Sequence, residues 1–279
     1  MTGNNIEGRY LNPLTDYGFK KVFGEKDIMI AFLTDLLTPA SPIEDVIFLD
    51  KEMEADGEDM RSVIYDLRCK TQDGGEFIVE MQNKGQKHFS NRILYYLSHA
   101  ISEQGEKGTG WNFDLQPVYG VFFLNFHMKG LKPQAIRTIQ LRVDETGEIF
   151  SENLKAFTLE LVDFKDKPEA YPKSQIEYWL YNLVNMESMT EALPFQTQQP
   201  IFSKVGGISE LSHMDSEERR KYFNSLNKYR TNLSVMEFAI EEGQQKKVLE
   251  IAANLKSLGI SIEKIVQATG LSISEIESL

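Results

Sequence analysis

Residues 65–82, YDLRCKTQDGGEFIVEMQ, decide the fold prediction, because two alternating segments meet there at a short glycine-containing turn. Setting Asp66 opposite Glu80 leaves Gln72-Asp73-Gly74 as a three-residue loop, with glycine at the left-handed position that such a loop favours. This register gathers one set of apolar side chains on one face: Val63, Tyr65, Leu67, Cys69, Phe77, Val79 and Met81. The stretch is therefore predicted to be an antiparallel β-hairpin.

The other face of this hairpin is polar, and Asp66 stands directly across from Glu80. Two carboxylates with Cβ atoms about 4.5–5.5 Å apart destabilise a sheet when both are charged, so a compensating group is expected. A divalent cation is one candidate, since Mg²⁺ binds one or two carboxylates and keeps positions for water and phosphate oxygens. Gln82 projects from the same face, as does Lys84 if the strand continues. The alternative is a solvated polar face on which Arg68 relieves the acidic pair.

Segments on either side of the hairpin predict alternating helices and strands, and hence an α/β fold. Helical spacing of apolar residues predicts two short helices broken near Gly24, and a further helix over residues 87–106. Residues 118–126, VYGVFFLNF, are apolar enough for the centre of a sheet covered on both faces. Further strand patterns lie at residues 45–53, 135–145 and 156–164.

The pattern turns helical from about residue 173, which predicts a division into a domain of residues 1–170 and a helical region of residues 171–279. Proline and glycine mark residues 190–215 as a connector. The tail predicts two short helices after Gly259 and Gly270, N-capped by Ser261 and Ser272, in a helix-turn-helix-like arrangement. Residues 237–279 hold four lysines and seven glutamates, and this excess of negative charge is unfavourable for binding in a DNA groove. A role in packing or homo-oligomerisation is therefore favoured.

Composition excludes several classes of protein. The 279 residues include 30 lysines and arginines against 42 aspartates and glutamates, which argues against a general nucleic-acid coat but allows an enzyme with a local basic groove. The single Cys69 excludes an internal disulfide framework and a thiolate zinc cluster, and the four histidines lack ligand spacing. No apolar run approaches a membrane span and no leader pattern is present, so a cytoplasmic protein without a membrane partner is expected.

Three segments, in their order and spacing, carry a family resemblance: NPLTDYGFKKVFG (12–24), the hairpin at 65–82, and HFSNRILYYLSHAISEQ (88–104). They resemble the recombination-promoting nuclease or putative transposase family of the PD-(D/E)XK superfamily, over about residues 10–130. The resemblance implies a mixed sheet flanked by helices, in which Asp66 and Glu80 are the motif acids and bind Mg²⁺, or Mn²⁺ or Ca²⁺. Gln82 replaces the superfamily lysine, which implies weaker transition-state stabilisation unless Lys84 or another cation compensates.

The same resemblance suggests roles for residues outside the hairpin. Asp16 acts on the metal or water, or alternatively caps the first helix. Lys20, Lys84 and Arg92 are candidates for contacts to DNA phosphates, and Tyr96 for simple packing beside Arg92. The acidic run at residues 50–59 is either an exposed loop or, through Glu52 or Glu54, the source of a further metal ligand.

The expected function is a metal-dependent DNA endonuclease that hydrolyses phosphodiester bonds and is linked to recombination or mobile elements. The alternative is a catalytically weak or inactive nuclease-fold protein that binds DNA or a protein partner.

Overall fold

A computed structural model of the chain describes residues 8–39, 42–50, 52–53, 63–105 and 112–279. The chain divides into two compact units, Met1–Ser225 and Leu226–Leu279. The change from mixed elements to helices near residue 170 lies inside the first unit, and a domain division at that residue stays a prediction.

A six-stranded mixed sheet forms the centre of the first unit, in the order β1 (Val46–Phe48), β4 (Leu67–Thr71), β5 (Glu76–Gln82), β6 (Val118–Leu124), β8 (Ile149–Glu160) and β7 (Ile136–Arg142). Strands β5, β6 and β8 run parallel, and β1, β4 and β7 pair antiparallel with their neighbours. A separate ribbon pairs β2 (Glu52–Met53) with β3 (Val63–Ile64). The predicted α/β class and the central position of β6 are confirmed.

The hairpin β4–β5 has the predicted register, with Leu67 opposite Val79 and Lys70 opposite Glu76. Gly74 has a φ of +89°, the left-handed conformation that the three-residue loop requires. One detail of the prediction is wrong: Tyr65 does not join the apolar face of the hairpin. The chain bends at Asp66, so Tyr65 packs with Ile78 on the opposite face.

Helices cover both faces of the sheet. Helices α1 (Asp16–Phe23) and α2 (Lys26–Leu37) are separated at Gly24, as predicted, and place Phe19 and Phe32 against Phe123 with ring centroids 5.4 and 5.2 Å apart. Helix α3 (Phe89–Ser102) packs on the other face, where Phe89 contacts Phe122. Neighbouring strand residues point to opposite faces, so Phe122 and Phe123 anchor the two helical layers.

The residues predicted as a connector contain a helix, which corrects that prediction. Helix α5 (Ile201–Ser209) buries Phe202 and Val205 one turn apart and packs near α1 and α2, as does α4 (Gln175–Asn185). Gly206 lowers helix propensity, yet α5 forms, although a Cβ at this position would meet Leu193 and Tyr10 only at ordinary contact distances of 3.6–3.7 Å. Tertiary packing therefore outweighs the local signal.

Helix α6 (Ser216–Ser257) begins in the first unit and extends into the second. The second unit also holds α7 (Ile262–Thr269) and α8 (Ile273–Ser278), which begin after the predicted N-caps Ser261 and Ser272. Ser272 forms a full capping box with Glu275. Ala252, Ile265, Leu271 and Ile276 form the small buried core of this unit. Among the described residues, no helix is long and apolar enough to cross a membrane.

A buried ion pair stabilises the hairpin, and its loss should be costly. Arg68 pairs with Glu76, whose side chain is 2% exposed, and its Nη2 lies 2.9 Å from Glu103 Oε2. We expect Arg68→Met to lower the free energy of unfolding by about 3 kcal/mol, because it leaves a buried carboxylate unpaired. Lys221→Met, which breaks an exposed pair with Glu217, should lower it much less, because water and salt screen exposed ion pairs. If urea unfolding showed an equal loss of free energy of unfolding in Arg68→Met and Lys221→Met, the stabilising role of the buried pair would be refuted.

Candidate functional site

Two carboxylates lie where the backbone ladder between β4 and β5 ends. Beyond the Leu67–Val79 pair, the amide of Asp66 donates to Glu80 Oε1 at 2.9 Å, and the amide of Met81 donates to Asp66 Oδ2 at 2.9 Å. The side chains thus satisfy backbone groups that the ladder no longer pairs. The register that the sequence predicts brings Asp66 and Glu80 together here.

Burial separates this pair from an ordinary surface cluster. Glu80 is 1% exposed and Gln82 is 8% exposed, while Asp66 is half-buried. The alternative of a solvated polar face is therefore wrong, because α3 covers these positions. Arg68 does not relieve the acidic pair either, since it bonds Glu76 and Glu103.

The pKa values of both carboxyl groups are raised above their ordinary range. Burial, followed by the charge of Asp66, raises the pKa of Glu80 to about 7. Burial also raises the pKa of Asp66, against the opposing effects of the Met81 amide and the charge of Lys20. A cation placed at the pair would favour the charged form of both groups.

Gln82 and Arg92 approach Glu80 from two different elements. Gln82, at the end of β5, donates from Nε2 to Glu80 Oε2 at 3.0 Å. Arg92 projects from α3, places its Nη2 3.5 Å from the same oxygen, and donates from Nη1 to Gln86 at 3.2 Å. The Arg92 guanidinium lies over the ring of Tyr96, 4.9 Å from its centroid. Tyr96 thus packs against Arg92, as predicted.

Helix α1 brings two more charges near Asp66. Asp16 and Lys20 pair with each other one turn apart, and the charges of both act on the pKa of Asp66. Asp16 is the first helical residue and does not cap the helix, because the hydroxyl of Thr15 accepts the Gly18 amide. Of its two predicted roles, capping is therefore wrong.

Lys84 is placed differently from the prediction, which required the strand to continue. Strand β5 ends at Gln82, and Lys84 lies in a bend beyond it. The cations whose charges act on Asp66 are Lys20 and Arg92. In the acidic run, the side chain of Glu52 and residues 54–59 lie outside the described part of the chain, so the proposed further ligand remains a prediction.

The sequence model of a family described as PD-(D/E)XK nuclease family transposase matches residues 13–239, which is most of the chain. The chain belongs to this family. No curated protein and no solved structure is significantly similar to it. The six-stranded mixed sheet between helical layers is consistent with the nuclease-like fold of PD-(D/E)XK proteins, and the matched residues include α1, the hairpin and α3.

PD-(D/E)XK nucleases generally use divalent metals, and the donor set at Asp66 and Glu80 fits such an ion. Both groups supply the hard oxygen ligands that Mg²⁺, Mn²⁺ and Ca²⁺ prefer. Asp66 Oδ1 accepts no hydrogen bond from the residues that the structure describes, so it retains its full ligand capacity. Burial is the main cause of the raised pKa values of both groups, and a bound cation would offset it by favouring the charged forms.

A second cluster of potential metal ligands in this PD-(D/E)XK protein was not predicted from the sequence. His127, Glu160 and Asp163 place potential ligand atoms within 4.8 Å of one another. Although burial opposes its charge, hydrogen bonds from His127 and Arg137 lower the pKa of Glu160. Arg137 Nη1 lies 3.0 Å from Glu160 Oε1, so a protein cation already balances this carboxylate. The one sequence feature that could have indicated this cluster is the single glutamate, Glu160, near the end of the apolar segment AFTLEL, residues 156–161.

Stability of the metal-free protein should fall as the pH rises through the titration range of Glu80. The folded-state pKa of about 7 lies above the ordinary value of 4.5, so the folded state binds a proton more tightly than the unfolded state between these values. We expect the free energy of unfolding to drop by up to about 3 kcal/mol from pH 4.5 to pH 7.5. Urea unfolding in EDTA at several pH values measures this drop in the free energy of unfolding. The variant Glu80→Gln should lose most of the drop. An identical pH profile in Glu80→Gln would contradict the assignment.

Proposed function

We propose that the protein is a metal-dependent DNA endonuclease that hydrolyses phosphodiester bonds, linked to recombination or mobile elements. The observation that carries the proposal is the buried Asp66–Glu80 pair at the end of the β4–β5 ladder, in a protein of the PD-(D/E)XK transposase family. A buried pair of like charges costs stability, and such a cost is typical of functional sites. In this proposal DNA is the substrate and Asp66 and Glu80 are the metal ligands.

Asp66 and Glu80 would hold Mg²⁺, or Mn²⁺ or Ca²⁺, through their carboxylate oxygens. When bound, the metal polarises the scissile phosphate and lowers the pKa of an attacking water. The hydrogen bonds from Met81 and Asp66 amides fix the orientation of the two carboxylates. Preorganised ligands of this kind avoid reorganisation during the reaction.

Gln82, Arg92 and Lys20 supply the remaining interactions in this proposal. The Gln82 amide bonds Glu80 and orients an attacking water, but it contributes no positive charge. Arg92 and Lys20 bring positive charge from α3 and α1 to the side of the pair, where it stabilises charge on the phosphate. Asp16 modulates Lys20 through their ion pair and acts on the metal or water from α1.

One feature favours a second candidate, a nuclease-fold protein that binds DNA or a protein partner without efficient cleavage. Gln82 stands where the superfamily resemblance has a lysine, and Lys84 does not extend β5 to replace it. Under this alternative the carboxylates bind a metal or DNA without turnover. Lys84 then contributes only to contacts with phosphates.

Cleavage of supercoiled plasmid tests the proposal directly. The intact chain should nick or linearise the plasmid with Mg²⁺ or Mn²⁺ and not with EDTA, whereas Asp66→Ala and Glu80→Ala should leave it intact. A control, Glu103→Ala, removes a carboxylate outside the pair. Absence of cleavage by the intact chain in every metal, or equal cleavage by the two variants, would refute the endonuclease and favour the binding protein.

A further inference from the structure

A cavity of about 570 Å³ opens beside the candidate site, at the carboxyl ends of β5 and β6. It is lined by the segment that follows β5, the start of α3 and the segment that follows β6, which together comprise residues 85–90 and 126–129. Ligands of α/β sheets bind preferentially outside the carboxyl ends of parallel strands. Neither Asp66 nor Glu80 lines this cavity, so it is a separate feature.

The cavity concentrates positive charge in a protein whose net charge is −12. Its lining includes two charged side chains, Lys87 and Lys129, and no aspartate or glutamate, although the lining residue His127 bonds Glu160 at 2.6 Å. Lys87 and Lys129 are exposed, and neither forms an ion pair within the part of the chain that the structure describes. Two unpaired lysines in one concave site whose lining holds no carboxylate favour an anionic ligand.

The start of α3 contributes backbone donors to the same cavity. His88 precedes the helix with a φ of +71° and makes no side-chain capping bond, while its carbonyl accepts the amides of Asn91 and Arg92. The amides of Phe89 and Ser90 therefore have no acceptor in the described residues. Unpaired amides at a helix start, beside two lysines, suit the oxygens of a phosphate group.

One side chain links the cavity to the acidic pair. Arg92 bonds Gln86, which lines the cavity, and also lies 3.5 Å from Glu80 Oε2. A single side chain, that of Arg92, thus contacts both the cavity lining and the acidic pair. A strand that reached the carboxylates would therefore pass the residues that Arg92 connects to the cavity.

We infer that this basic cavity binds a backbone phosphate of the DNA strand next to the phosphate that is cleaved, and so sets the position of the strand. The inference rests on the proposed function. Lys87 and Lys129 supply the charge, and the first amides of α3 supply the directional hydrogen bonds. Because the contacts are to phosphate, they hold the strand without reading its sequence.

Salt-dependent DNA binding by the full chain tests this inference. All proteins carry Glu80→Gln to prevent cleavage, and anisotropy of a labelled duplex is measured over a range of KCl concentrations. We expect Lys87→Ala/Lys129→Ala to weaken binding at least tenfold and to lower the slope of log K against log salt by about 1.8, that is, about 0.9 for each lost contact.

The matched control is Lys70→Ala/Lys155→Ala, which removes two charges at the other end of the sheet, beside Glu76 and Tyr119. Equal affinity and slope in the cavity variant and this control would overturn the inference, while plasmid cleavage by the intact chain would still support the endonuclease. Complete absence of salt-sensitive DNA binding in the background protein would overturn the inference as well, and the cleavage assay reports separately on the endonuclease.

Competition with inorganic phosphate distinguishes a cavity that binds a phosphate of the DNA strand from a cavity that binds free phosphate. At matched ionic strength, added phosphate should weaken DNA binding no more than chloride does, because neighbouring contacts also hold the strand. Release of the DNA by phosphate at millimolar concentration would overturn the assignment to the strand.

Discussion

Glu80→Gln should lower the rate of DNA cleavage by about 10³-fold or more, because the loss of a metal ligand removes several kcal/mol of transition-state stabilisation. The same variant should be more stable than the intact chain at pH 7.5 without metal. The amide oxygen can still accept the Asp66 amide at the place of Glu80 Oε1, and the repulsion from Asp66 disappears. Single-turnover cleavage and urea unfolding measure the two effects.

The combination of higher stability and lost activity distinguishes a functional carboxylate from a structural one. A structural glutamate replaced by glutamine loses stability and keeps activity until the protein unfolds. Glu76→Gln is the matched control, because Glu76 is also buried on β5 but pairs with Arg68. We expect Glu76→Gln to be destabilised and to retain cleavage at temperatures where it is folded. Retained cleavage in Glu80→Gln would contradict the metal-ligand role.

Arg92→Met should lower the rate of cleavage by about 10²-fold. Arg92 pairs with Glu80 at 3.5 Å, and removal of one preorganised donor to the reacting group typically costs 10²–10³-fold. The loss should appear in the rate at saturating DNA, because Arg92 acts on charge that develops during the reaction. Single-turnover kinetics at several DNA concentrations measure the rate at saturating DNA separately from the affinity for DNA.

Arg92→Lys provides the conservative comparison. Lysine keeps the charge, but a single ammonium group cannot replace the fork that reaches both Glu80 and Gln86. We expect partial recovery of the rate. Rates equal to those of the intact chain in both variants would show that Arg92 only packs against Tyr96.

The hairpin could be predicted because its determinants are local. Alternation of apolar residues and a glycine at the last loop position fix the register, and the register alone places Asp66 opposite Glu80. The bend at Asp66 was not visible in that pattern. It turns Tyr65 to the α3 side, where Ile78 and Phe89 provide an apolar surface.

Other features depend on partners far away in the sequence, and local patterns did not reveal them. Helix α5 forms despite two glycines because Phe202 and Val205 are buried and the helix packs on α1 and α2, which lie far away in the sequence. Glu160 is tolerated at the end of β8 because Arg137 forms an ion pair with it and His127 forms a hydrogen bond with it. The burial of Glu80 likewise required α3, which covers a face that reads as polar in the sequence.

Metal binding by the intact chain without DNA tests the central claim most directly. Thermal unfolding at pH 7.5 with Ca²⁺ or Mn²⁺ should show a rise in Tm that grows with metal concentration, because the ion binds the folded carboxylate pair. Asp66→Asn and Glu80→Gln should lose that rise, whereas Asp163→Asn, in the second cluster, should retain it. An equal rise in all four proteins, or none in the intact chain, would contradict a metal site formed by Asp66 and Glu80.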